Sequence, residues 1–108
     1  EFTGEPLIYA LWVARQDFAR RYPVQVEFIR RALVDCRAQA MGNLPDLARR
    51  AAKRYPVSPV LLEEYFRALR HEFDGVSRRA LLRYYAHAQI CGLIPPKVTL
   101  RVWGEDPV

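Results

Sequence analysis

The feature that most constrains the fold is an uncharged segment near the start of the chain. In the stretch "TGEPLIYALWVAR", no charged residue occurs from Leu7 to Ala14, and several members are β-branched or aromatic. Such a run is typical of a strand that is covered on both faces in the interior of a sheet. One other segment, "KVTLRVW", has apolar residues at alternate positions, as in a half-exposed strand. We therefore predict an opening strand over about 6–14 and a closing strand over about 98–103.

Four helices are predicted between these strands, so the predicted fold class is α/β. Their ranges are about 23–41, 44–55, 59–72 and 77–91. Short connectors favour antiparallel packing of neighbouring helices. A length of 108 residues predicts a single domain. In the first helix, steps of three and four predict a buried stripe made of Val26, Ile29, Leu33, Cys36 and Ala40.

The predicted helix ends have recognisable signals. Proline suits the first helical position, small polar side chains suit the N-cap, and glycine suits the position after the C-cap. On this basis Pro23 begins the first helix and Gly42 follows it. The predicted N-caps are Asn43, Ser58 and either Asp74 or Ser77, and Gly92 with the Pro95-Pro96 pair ends the last helix.

Two strands do not make a stable sheet on their own. The opening strand has two apolar faces and lacks sheet neighbours within this sequence. We therefore expect the chain to be the C-terminal portion of a larger α/β protein, whose other residues supply the missing strands.

The composition leaves two questions of partner and compartment open. The net charge is +5, and the basic residues are nearly all arginines, eight of which form four adjacent pairs along successive segments. This pattern permits a nucleic-acid-binding surface, although one continuous basic stripe is the stronger signature and a solvated surface is the alternative.

Cys36 and Cys91 are far apart in sequence, and we expect two buried free thiols in a reducing cytoplasm. No apolar run approaches the ~20 residues that a membrane helix needs.

Motifs that carry chemistry are absent from the sequence. There is no serine elbow, no GxxxxGK[ST], no GxGxxG and no HExxH. His71 and His87 have no Cys or carboxylate at ligand spacing, so we predict no metal site. Glu63 and Glu64 are adjacent and point about 100° apart on a helix, so they do not form a facing catalytic pair. The residues alone predict a helical piece of a soluble α/β protein.

The opening segment also carries a family resemblance. "FTGEPLIYALWVAR" resembles the "TGLPFVYAVWVAR" type of segment in the menaquinone-biosynthetic chorismate dehydratases, the first enzymes of the futalosine route. The later stretches "IRRAL", "NLPDLARRAA", "LLEEYFRALRHEF" and "GLIPP" are similar to that family as well, so the resemblance covers almost the whole chain. Glu5, Leu7 and Ile8 depart from the family's usual choices. The matching residues are Thr3, Gly4, Pro6, Tyr9, Ala10, Trp12, Val13, Ala14 and Arg15.

The resemblance implies a fold, a reaction and a location. The fold is that of a type II periplasmic-binding-protein-like enzyme, two-lobed and cytoplasmic, in which the opening strand crosses between the lobes. The reaction dehydrates chorismate to 3-[(1-carboxyvinyl)oxy]benzoate, and neither a metal nor an organic cofactor is implied. The catalytic groups are expected upstream of this chain. Tyr9 is the one candidate for a cleft-lining, substrate-binding residue, and buried packing within the sheet is the alternative for it. The partners implied are chorismate and the missing N-terminal part of the same protein, with no nucleic acid and no membrane.

Three functional alternatives stay open at this point. The first is the dehydratase, and the second is a non-catalytic binding-protein-like domain for a small carboxylate. The third is an independent basic helical domain that binds nucleic acid. A related synthase of the same pathway shares the fold, but its equivalent segment is the weaker match to TG-x-P-x-x-YA-x-W.

Overall fold

Helices supply all the regular structure in the computed structural model, which describes residues 4–105. They are α1 (Gln16–Arg21), α2 (Pro23–Gly42), α3 (Leu44–Ala52), α4 (Pro59–Ala68) and α5 (Gly75–Ile90). The described residues group into two compact units, one made of 12–71 and the other of 4–11 with 72–105. No helix between residues 4 and 105 is both long and apolar enough to pass through a bilayer.

Neither predicted strand forms in the described part of the chain. Residues 6–14 and 98–103 are irregular, and the backbone of Pro6–Ala14 makes no hydrogen bond to other described residues. The prediction of an opening and a closing strand is therefore wrong for this chain. The physical reason is that a strand exists only in a ladder, and neither segment has a partner strand here. Thr3, which belongs to the family-like motif, lies outside the described residues.

The four predicted helices are confirmed as α2 to α5, with changed ends. The second and third end earlier than predicted, at Ala52 and Ala68, and the last begins two residues earlier, at Gly75. Helix α1 was not predicted, because "RQDFARRYP" was interpreted as a polar connector. Its charges suit a short helix, since Asp17 lies in the first turn and Arg20 and Arg21 in the last.

In the unit 12–71, the best-packed pair of helices is α3 and α4. Leu44 and Ala48 of α3 and Leu62 of α4 are buried, and the small Ala48 side chain allows the helix backbones to approach closely. Ser58 caps α4 as predicted, because its Oγ accepts a hydrogen bond from the Leu61 N–H at 3.2 Å. Asn43 occupies the N-cap position of α3 but its side chain accepts no capping hydrogen bond.

The predicted buried stripe of α2 is only partly correct. Val26 is buried and Leu33 and Ala40 are half-buried, whereas Ile29 is 51% exposed and Cys36 is exposed. Helix α2 has 20 residues, whereas its neighbours α1 and α3 have 6 and 9, so they are too short to cover its length. Gly42 is the last helical residue and has no positive φ, so the prediction that it follows the helix is wrong.

In the other unit, α5 is fixed at both ends. The Asp74 carboxylate accepts a hydrogen bond from the Ser77 N–H at 2.9 Å, which confirms Asp74 as the N-cap, and Ser77 Oγ donates to the Glu72 carbonyl at 3.1 Å. At the other end Gly92 has φ +70°, and its N–H donates to the Gln89 carbonyl. The Leu93 N–H donates to the Ala88 carbonyl, which completes a Schellman motif. Ala80 and Leu81 are the buried apolar side chains of α5.

Both cysteines are exposed free thiols, so the prediction that they are buried is wrong. Cys36 lies on the uncovered part of α2, and Cys91 is the C-cap of α5. Their burial was inferred from helical spacing, which identifies the apolar side of a helix. Spacing does not establish that another element covers that side.

Candidate functional site

The first candidate site is the opening segment, which contains Tyr9. Tyr9 is 86% exposed and makes no hydrogen bond or ring contact with the other described residues. Trp12 and Val13 are each 85% exposed. The structure therefore brings no second site residue to Tyr9. What it presents is a row of apolar side chains and unpaired backbone groups, which is a surface for pairing with another segment.

A charged residue lies at each end of this segment. Within its unit, the Glu5 carboxylate lies 3.9 Å from the Arg83 guanidinium on α5. At the other end, Arg15 binds both carboxylate oxygens of Asp17, at 3.1 and 2.8 Å. This hydrogen bonding holds the pKa of the Asp17 carboxyl below its ordinary value. Each end of the segment therefore has a charged side chain in an ion pair, whereas the nine residues between Glu5 and Arg15 are uncharged.

The second candidate site is a shallow pocket of about 320 Å³ at α1. Its lining residues are Arg15, Asp17, Phe18, Arg21 and Tyr22. The Phe18 and Tyr22 rings have centroids 5.1 Å apart, and the Arg21 guanidinium carbon is 5.4 Å from the Tyr22 centroid. These contacts place the Arg21 guanidinium beside the Tyr22 ring, which itself packs on Phe18.

The pocket at α1 is equipped to bind a ligand, and it lacks groups for proton transfer. A guanidinium has five N–H donors, which can hold a carboxylate in a bidentate manner, and the aromatic rings can contact a flat apolar group. The one carboxylate, Asp17, has a lowered pKa and is held by Arg15, so it is a poor proton acceptor. The sequence did contain a signal for this site: Phe18 and Tyr22 stand four residues apart, the spacing of neighbours on a helix.

A third group of side chains fixes the C-terminal segment in the unit that contains α5. Arg78 donates a hydrogen bond to Glu105 at 2.7 Å, and its guanidinium carbon lies 5.7 Å from the Phe73 ring centroid. The hydrogen bond to Arg78 lowers the pKa of Glu105, and the pKa of Arg78 is raised by the same contact. This group joins residues that are 27 positions apart, so its role is to hold the segment in place.

Metal ligation and nucleic-acid binding have little support in the described residues. No group of three His, Cys, Asp or Glu side chains between residues 4 and 105 is arranged to hold a metal ion. Several arginines are already paired with carboxylates: Glu27 binds both Arg30 and Arg31, and Asp46 binds Arg49. This pairing reduces the positive charge that the predicted arginine pairs would present to a polyanion.

The comparisons with known proteins identify one family. Residues 1–89 match the family model described as "Menaquinone biosynthesis", which covers more than half of the chain. The match includes the opening segment and all of α1 to α4, and it ends one residue before the last residue of α5. No solved structure matches the chain.

Proposed function

The chain belongs to the menaquinone biosynthesis family, and we propose that it forms the C-terminal part of a chorismate dehydratase of the futalosine route. The observation that carries this proposal is the family match over residues 1–89, because it includes the segment whose residues resemble the dehydratases most specifically. Tyr9, Ala10 and Trp12 lie in the middle of that segment.

The proposed reaction removes one water molecule from chorismate and leaves 3-[(1-carboxyvinyl)oxy]benzoate. A base takes a ring proton, the bond from the ring to the hydroxyl oxygen breaks, and the electron pair completes the aromatic ring. The enzyme needs donors for two substrate carboxylates and a base of suitable pKa near the ring proton. No such base converges with carboxylate donors in the described residues, which supports placing the catalytic groups upstream in a longer chain.

The partner proposed for the opening segment is the upstream part of the same protein. Leu7, Trp12 and Val13 are exposed, and the segment's backbone donors and acceptors are unpaired. In a two-lobed binding-protein-like fold, these residues form the strand that crosses between the lobes, and neighbouring strands cover both faces. This arrangement satisfies the backbone groups and buries the apolar side chains. The two free thiols suit the reducing cytoplasm in which we place the enzyme.

The decisive experiment compares the 108-residue chain with the same chain continued upstream. The continued chain should consume chorismate, followed by the loss of its ultraviolet absorbance, and release the enol ether, identified by mass spectrometry. The 108-residue chain should do neither. A well-folded continued chain that binds chorismate without converting it contradicts the dehydratase. That outcome favours the second candidate, a carboxylate-binding domain, which the guanidinium and aromatic rings of the α1 pocket make chemically reasonable.

Tyr9 is proposed to line the substrate cleft of the continued chain. Tyr9→Phe removes one hydroxyl, and the loss of one hydrogen bond to substrate should raise KM about tenfold. Tyr84→Phe is the matched control, because Tyr84 is also exposed but lies on α5. Equal kinetic constants for the Tyr9→Phe and the unchanged enzyme would show that Tyr9 is only part of the sheet.

A further inference from the structure

The pocket at α1 lies wholly within the compact unit made of residues 12–71. Its volume of about 320 Å³ is at the small end of the range for ligand sites in proteins, which is about 300–1,000 Å³. A site of this size takes a ligand with one ring rather than several. The charges and the aromatic rings that line the pocket therefore decide which class of single-ring ligand it takes.

Arg21 is the lining residue whose charge is available to a ligand. Its guanidinium contacts the Tyr22 ring, and it makes no ion pair with a carboxylate in the part of the chain that the structure describes. Arg15 differs, because it already binds both carboxylate oxygens of Asp17. The N–H donors of Arg21 are therefore the ones that a ligand anion meets, and a carboxylate matches their planar geometry.

The charged lining residues also set how many negative charges suit the ligand. Arg15 and Arg21 contribute two positive charges and Asp17 contributes one negative charge, so the net charge of the lining is +1. Asp17 stays ionised near neutral pH, because its hydrogen bonds with Arg15 lower the pKa of its carboxyl. It repels a second carboxylate on a ligand whose first carboxylate binds Arg21. The pocket thus favours a monoanion over a dianion.

The aromatic rings favour a flat ligand body. The Phe18 and Tyr22 ring centroids are 5.1 Å apart, and both side chains line the pocket. Phe18 is 40% exposed, so its ring has surface that a ligand can still cover. An aromatic ligand contacts such rings in a stacked or edge-on arrangement, which adds to the free energy gained from the apolar area that it buries.

We propose that the α1 pocket binds a planar aromatic monocarboxylate, with the carboxylate on Arg21 and the ring against Phe18 and Tyr22. This inference does not rest on the proposed function. Chorismate carries two carboxylates on a ring that is not aromatic, so it should bind this pocket less well than an aromatic monocarboxylate. Either proposal can fail without the other, because conversion of chorismate does not report on the α1 pocket.

Benzoate is the probe for this site, and the amide chemical shifts of the isotopically labelled chain report its binding. Benzoate should shift the amides of α1 with a Kd of roughly 1 mM, as expected for a small ligand in a shallow pocket. Isophthalate has a second carboxylate, cyclohexanecarboxylate is not flat, and benzamide is uncharged. Each should bind about fivefold more weakly or worse. Affinities equal to that of benzoate, or shifts confined to other helices, contradict the proposal.

Replacing Arg21 tests the group that holds the carboxylate. Arg21→Gln should weaken benzoate binding at least about tenfold, because it removes a hydrogen-bonding partner of the ligand that is also charged. Arg20→Gln is the matched control, since Arg20 is the adjacent arginine of α1 but does not line the pocket. It should bind benzoate as the unchanged chain does. An equal loss of binding in both variants overturns the role of Arg21.

Replacing Asp17 tests the preference for one negative charge. Asp17→Asn removes the repelling carboxylate and releases Arg15, which is then free to bind a second carboxylate. The preference for benzoate over isophthalate should therefore fall about fivefold and disappear. Asp46→Asn is the matched control, because Asp46 also pairs with an arginine in the first turn of a helix but lies outside the pocket. A preference that survives Asp17→Asn, or that is lost equally in Asp46→Asn, overturns the proposed selectivity.

Discussion

Leu44 provides the sharpest test of the packing between α3 and α4. It is the first residue of α3, which packs on α4 in the same compact unit, and it is only 3% exposed. Leu61, on α4, is the same type of residue and is 56% exposed. Replacing each leucine by alanine removes the same three carbon atoms. The two variants therefore differ mainly in how much of the removed surface was buried.

The expected energies follow from that difference. At about 0.8 kcal/mol for each buried CH₂-sized group, Leu44→Ala loses roughly 2.4 kcal/mol of transfer free energy. The cavity left behind adds to this, so we expect about 2.5–4 kcal/mol in total. Less than half of the Leu61 side chain is buried and no cavity forms, so Leu61→Ala should cost about 1 kcal/mol. The difference between the two variants should thus be at least about 1.5 kcal/mol.

Urea unfolding followed by circular dichroism at 222 nm measures both free energies. With a slope of about 1–3 kcal/mol per molar urea, Leu44→Ala should lower the unfolding midpoint by about 1–2 M. The slope itself should not change, since a changed slope means that the transition is no longer two-state. Midpoints that fall equally in the two variants would refute the packing of α3 on α4 described above.

Three further predictions concern capping, charge and partners. Ser58→Ala should lower the free energy of unfolding by about 1 kcal/mol, because it removes a capping hydrogen bond, whereas Asn43→Ala should change it little. Since Arg78 lowers the pKa of Glu105, their pairing should be complete above the ordinary value of 4.5 and be lost as the pH falls through the lowered value. Amide chemical shifts of the C-terminal segment should follow that loss, and Glu105→Gln should abolish the pH response. Mixed-sequence DNA should bind only at about 10⁻⁴–10⁻⁶ M near physiological salt, and sub-micromolar, sequence-selective binding would overturn the enzyme proposal.

Local signals in the sequence predicted the helices well. Ser58 followed by Pro59, and Asp74 before α5, mark helix starts through hydrogen bonds and backbone angles that involve only neighbouring residues. Gly92 marks a helix end in the same local manner. Helix α1 was missed because it is only six residues long, too short for apolar periodicity to distinguish it from a connector.

Strands and buried stripes were predicted less well, because they depend on partners distant in sequence. Cys36 has the spacing of a buried residue yet is exposed, since no described element covers that part of α2. The α1 pocket likewise required knowledge of α1, because the Phe18 and Tyr22 rings come together only once that helix forms. The site of a dehydratase would depend on still more distant residues, and this sequence contains only Tyr9 as a candidate for it.

The incorrect predictions of burial share one physical cause. The opening segment and the middle of α2 have the residue patterns of covered surfaces, yet Trp12 and Ile29 are exposed. Isolated apolar side chains on a surface are ordinary, but a surface that is apolar over several elements marks an interaction site. The proposed two-lobed enzyme would cover the opening segment with its own upstream strands. Because upstream strands would satisfy its free backbone groups, restoring the upstream residues should protect the amides of Leu7 to Ala14 from hydrogen exchange while chorismate conversion appears.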